Sequence, residues 1–205
     1  ASLGGLLILL GSVAISLWQP TWTLLSGVLI FAGGTASIVG IYFANRWVKK
    51  PRPEELLDQA LKELDDRHRL YHYALPCDHV LLTPGNIIVL ETVNLEGKFS
   101  YRQGRWRQKI TPGRAMRFFV EEKLGDPIER ALNCAQLIKS QLVEAISEAQ
   151  ALEAHGIVVF TNPFVELIVD NAPIPVCEVK KLRGRLPKGS QKLPPNVYQR
   201  VIEQL

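Results

Sequence analysis

The run Cys77-Asp78-His79-Val80-Leu81-Leu82-Thr83-Pro84-Gly85-Asn86-Ile87-Ile88-Val89-Leu90-Glu91 decides the fold. Two apolar stretches of strand length flank Thr83-Pro84-Gly85-Asn86, where proline presets φ and the glycine and asparagine accept turn conformations. The pattern predicts a β-hairpin with an acid at each outer end, Asp78 and Glu91. Pairing of its strands brings those two carboxylates to one side of the sheet.

Downstream, residues 99–103 and 106–110 read as a second strand pair around Gly104, with Tyr101 and Trp106 as packing aromatics. Asp126-Pro127 sets an N-cap before a proline at the first helical position. Ile128, Ala131, Leu132, Ala135, Ile138, Leu142 and Ile146 then follow at three-to-four spacing, so the longest helix of this region starts there. Residues 156–161, 164–169 and 174–179 read as further strands, and 196–204 as a short final helix. Upstream, Leu56, Leu57, Ala60, Leu61 and Leu64 recur at helical spacing among acids and amides. The order of helix, strands, long helix, strands and helix predicts an α/β fold with a mixed sheet and flanking helices, one compact domain over residues 54–205.

The first forty-odd residues differ. No charged residue occurs between Ala1 and Ala44, although the whole chain carries a net charge of +4. Two apolar runs, Leu3 to Trp18 and Trp22 to Phe43, flank Gln19-Pro20-Thr21, and about 20 helical residues cross a hydrocarbon core. Trp18 and Trp22 suit a membrane interface. The expectation is a transmembrane helical hairpin over residues 1–45. A signal peptide instead wants a basic start and a polar mature chain, and here a second apolar run follows. Gly27, Gly33, Gly34, Ala36, Ser37 and Gly40 line the second run, which permits close approach of another helix. The basic, proline-containing linker 46–53, with Arg46, Lys49, Lys50 and Arg52, favours a cytoplasmic side for the domain that follows. Cys77, Cys134 and Cys177 show no CxxC spacing and support neither a disulfide framework nor a zinc site, so reduced, buried thiols are expected.

In order and spacing, the quoted run resembles the nuclease-related domain (NERD), a branch of the PD-D/ExK nuclease superfamily. Gly97, Trp106 and Asp126-Pro127 opening a helix extend the resemblance over about residues 54–160. It implies a restriction-endonuclease-like sheet and a site of Asp, Glu and Lys. Asp78 matches the Asp, Glu91 the Glu, and Glu54 or Glu55 the acid in the first helix. If the site is active, Asp78 and Glu91 hold Mg²⁺. The pattern breaks two residues beyond Glu91, where Val93 replaces the lysine. It breaks again where Asn-Pro followed by Gln becomes Asp126-Pro127-Ile128-Glu129-Arg130. Lys98 is the nearest candidate for a relocated cation.

Arg102, Arg105, Arg107, Lys109 and Arg114, and then Lys180, Lys181, Arg183, Arg185, Lys188 and Lys192, can contact phosphates of anionic lipid or of nucleic acid, or form a solvated face. His68 and His72, four apart, read as exposed residues of one helix face without a third zinc ligand. No serine sits in a nucleophile elbow, and no glycine loop cradles phosphate. The expected protein is a membrane-anchored, catalytically degenerate nuclease-related domain without a cofactor. It would serve as an accessory subunit whose hairpin meets membrane lipid and an integral membrane partner. An active Mg²⁺-dependent nuclease and an anionic-lipid-binding module are the alternatives, with nucleic acid as partner in the former.

Overall fold

The structure is a computed structural model that describes residues 2–18, 22–43, 51–73, 75–109, 124–189 and 192–205. They fall into two compact units that divide between Arg52 and Pro53.

In the first unit, α1 (Ser2–Trp18) packs along α2 (Thr23–Phe43). Small residues make the contact. A Cβ on Gly5 would stand 2.4 Å from Ser37 Oγ and 2.8 Å from Ser37 N, and one on Gly33 would stand 3.1 Å from Gly5 O. Gly33 and Ser37 therefore serve α1, whereas Gly27 and Gly34 have open space beside them. Ser12 is buried and satisfies itself by donating to Leu9 O at 2.7 Å. Away from the seam the surface is apolar, with Trp18 and Leu24 each 87% exposed and Phe31 77% exposed. Among the described residues no helix is long and apolar enough to cross a membrane. Residues 19–21 and 44–50, which carry the expected turn and most of the basic flank, lie outside the described residues.

In the second unit, a five-stranded mixed sheet runs in the order β1-β2-β3-β6-β8, from β1 (Arg69–His72), β2 (His79–Leu82), β3 (Asn86–Val93), β6 (Glu153–Phe160) and β8 (Val176–Glu178). The hairpin forms as expected: β2 and β3 pair antiparallel with Val80 opposite Val89, and Thr83 Oγ1 accepts from Asn86 N inside the turn. β3 then pairs parallel with β6, Glu91 standing opposite Val158.

The chain builds a second sheet rather than widening the first. β4 (Gly97–Arg102), β5 (Arg105–Lys109) and β7 (Val165–Val169) form a three-stranded sheet in the order β5-β4-β7. Gly97 opens β4 at φ 123°, a conformation that only glycine adopts without strain.

Alternation along the strands sorts the core into two faces. Val80, Leu82, Ile87 and Val89 face α4 (Pro127–Ala145) and meet Ala135, Ile138 and Leu142. Leu81, Ile88 and Leu90 face the other way, onto Leu57 and Leu61 of α3 (Pro53–Leu61) and Leu182. Asp126 caps α4 by accepting from Ile128 N and Glu129 N, both at 3.1 Å, and Pro127 opens the helix. A Cβ on Gly156 would meet Ala131 Cβ at 2.9 Å, so this glycine lets α4 lie close on β6. The last helix, α5 (Pro195–Gln204), buries Val197 and Val201 in the α4-side core.

Two sequence expectations are corrected. His72 lies on strand β1, not on a helix with His68, because Arg69 to His72 pairs residue for residue with β2. Cys77 and Cys134 are disulfide-bonded, their Cα atoms 6.0 Å apart, because the bend before β2 places Cys77 in the α4-side core. Cys177 alone is a free, buried thiol.

Candidate functional site

Asp78 lies immediately before β2, and Glu91 lies near the end of β3, its antiparallel neighbour. Both side chains line one cleft of about 520 Å³ between the strand ends and α4. Cys77, Val93, Arg130, Asn133 and Cys134 also line it. The two acids that the sequence singles out thus share one cavity, and the disulfide closes its wall beside Asp78.

The cation at this cleft comes from the helix. Arg130 Nε donates to Glu91 Oε1 at 2.7 Å, and a second guanidinium nitrogen donates to Leu124 O at 3.2 Å. The pair is half open to solvent on the arginine side and mostly covered on the glutamate side. Val93, where the nuclease pattern puts its lysine, is only 5% exposed and packs with Phe99, Ile128, Ala131 and Phe160.

Lys98 does not take the missing lysine's place. It stands on β4 of the other sheet, where its Nζ lies 2.6 Å from Glu166. Glu54 opens α3 and accepts from Tyr73 Oη at 3.3 Å, on the side of the sheet away from the cleft; neither it nor Glu55 lines the cavity.

The acids of the cleft are two, Asp78 and Glu91, and one of them is already engaged. Among the described residues no three His, Cys, Asp or Glu side chains gather into a group able to hold a metal ion. Glu91, the acid such an ion would need, already accepts from a guanidinium that cannot lose its charge in the ordinary pH range. The arrangement joins the end of β3 to α4 through one ion pair and leaves Asp78 on the opposite wall of the cleft. The acid–metal–lysine constellation implied by the resemblance is not assembled by these residues.

Sequence reasoning missed two features. One is Arg130 as Glu91's partner; its only trace is that it stands where the family pattern has glutamine. The other is a polar chain under the opposite face of the sheet: Asp58 Oδ1 lies 3.2 Å from His72 Nε2, and His72 Nδ1 lies 2.8 Å from His79 Nδ1. One of those Nδ1 atoms donates and the other accepts, so the two imidazoles share a proton between them.

The family model described as "Nuclease-related domain" (NERD) matches residues 49–161, more than half of the chain. No curated protein and no solved structure gives a significant match.

Proposed function

The chain belongs to the nuclease-related domain family, and from that premise we propose that it is a membrane-anchored member that does not cut nucleic acid and works by binding, as an accessory subunit of a membrane protein complex. One observation carries the reading: Glu91 is neutralised by Arg130 from α4, while buried Val93 stands where a lysine is needed. Arginine supplies charge but not a proton at neutral pH. Its bond to Glu91 also competes with any ion that this carboxylate would bind. Losing one preorganised electrostatic group costs on the order of 10²–10³ in rate in other enzymes.

The proposed anchor is the hairpin over residues 1–45, with the 46–53 linker leading from it to the domain over 54–205. Its support is the uncharged sequence, the glycine-seamed pairing of α1 with α2, and the outward display of Leu7, Leu17, Trp18, Leu24 and Phe31. Contiguous apolar surface of that kind is sustained against lipid or another apolar helix rather than against water.

The test takes the tagged full chain through several mild detergents. Recovery with a stoichiometric membrane partner is expected, and a lone species under every condition removes the subunit role. Metal-dependent cleavage of DNA or RNA that vanishes in Asp78→Ala or Glu91→Ala protein would replace this reading with that of a working nuclease.

A further inference from the structure

The outer face of the three-stranded sheet has no part in the cleft, yet its charges are arranged. Cross-strand register groups it into three rows: Lys109 and Lys98 with Glu166, Arg107 and Ser100 with Ile168, and Arg105 with Arg102. The alternate side chains Phe99 and Tyr101 go into the core, which leaves the five cations on the open side. Two acids answer them: Glu166 lies 2.6 Å from Lys98, and Asp170 lies 2.8 Å from Arg102. Arg105, Arg107 and Lys109, all on edge strand β5, have no ion pair among the described residues. They stand two residues apart, which in a strand is about 6.8 Å.

Two of the three rows set like charges directly opposite each other, Lys98 against Lys109 and Arg102 against Arg105. Such pairs destabilise a sheet. A fold that keeps them gains if an anionic surface relieves the repulsion. The same face carries Ile168, 52% exposed in the middle row, and Phe164, 73% exposed, leads into β7 at the Lys98 end. Cations beside exposed apolar side chains suit a bilayer, where head groups meet the charges and the apolar groups sink to the acyl boundary.

We propose that the β5 edge and outer face of this sheet, through Arg105, Arg107 and Lys109 with Ile168, form a contact surface for an anionic phospholipid bilayer. This rests on the anchored reading above and names what the anchored domain touches. It gives the second sheet a task apart from the cleft.

The experiment places the full chain in nanodiscs of phosphatidylcholine alone or with phosphatidylserine at about one part in four. It follows arginine modification by phenylglyoxal residue by residue, with Arg200 as internal reference. Arg105 and Arg107 should react about tenfold more slowly in the anionic discs, scaling from the attraction of a few basic residues to an anionic leaflet. Ile168→Asp or Lys109→Gln should remove much of that protection. Equal rates in both discs overturn the proposal. So does protection by a single-stranded oligonucleotide in neutral discs with none from phosphatidylserine, which would make the face a nucleic-acid surface. Failure of the chain to enter either disc is failure of the anchor instead. Flotation with preformed vesicles then decides: binding only to anionic vesicles, lost in the Arg105→Gln, Arg107→Gln, Lys109→Gln triple variant, upholds the face, and absence of binding overturns it.

Discussion

Arg130 reaches from the first turns of α4 to place its Nε 2.7 Å from Glu91 Oε1 at the end of β3. Helix and strand thereby share one ion pair at the mouth of the cleft, with Leu124 O taking a second arginine proton. Arg130→Gln keeps length and polarity while removing the charge. A partly exposed pair of this kind contributes about 0–1 kcal/mol, so the variant should unfold within a few degrees of the parent by calorimetry. Its Mn²⁺ affinity, read by electron paramagnetic resonance, should rise by about tenfold once the competing cation has gone. An unchanged affinity would mean that Arg130 does not compete with metal at Glu91.

That pair is not written in the local sequence. The hairpin at Thr83 to Asn86, the Asp126-Pro127 helix start and the Tyr101–Trp106 contact were legible because each is written in residues that neighbour one another in the chain or across a tight turn. Arg130 and Glu91 are 39 residues apart and meet only after α4 settles on the sheet. β1 was missed because Arg69-Leu70-Tyr71-His72 is short and polar at both ends, and becomes a strand only by pairing with β2. The split into two sheets was equally hidden. Strand periodicity gives the faces of β4, but its pairing with β5 and β7 instead of β3 is set by contacts distant in the chain.

The Cys77–Cys134 bond closes a loop across 57 positions and ties the residue before Asp78 to the helix one turn beyond Arg130. In the chain-entropy account a loop of that size is worth about 4 kcal/mol. Cys134→Ser should therefore lower urea-unfolding stability by about that amount, and dithiothreitol should lower the parent to match. Alkylation of unreduced, denatured protein should label one cysteine, Cys177, with a second and third appearing only after reduction. Three labels without reductant would show the bond absent.

Burial pushes the Cys177 thiol up to about 11, from an ordinary value near 9. The folded state thus holds its proton over a range where the unfolded chain releases it. The stabilisation is complete below pH about 9 and is lost as pH rises toward 11. Stability of the parent should decline across that window, and Cys177→Ala should flatten the decline. At pH 8 the native thiol should resist iodoacetamide. A fast native reaction there would show the side chain exposed.

The proposed loss of activity, put down to the missing lysine and the intruding arginine together, should reverse when lysine and glutamine are restored. Val93 and Glu91 are two apart on β3 and so project to the same face, toward α4. A lysine at position 93 can keep its stem against Phe99 and Ile128 and extend its ammonium along the cleft wall that Val93 already lines. Overpacking there costs about 1–3 kcal/mol, which the fold must absorb. Val93→Lys alone leaves Glu91 held by Arg130, and Arg130→Gln alone leaves no lysine, so neither single variant should cleave. The Val93→Lys, Arg130→Gln double variant should show divalent-cation-dependent cleavage of DNA or RNA that disappears again on adding Asp78→Ala. A double variant that unfolds cooperatively like the parent yet stays inert on a broad substrate panel would overturn this charge arrangement as the cause of the proposed inactivity.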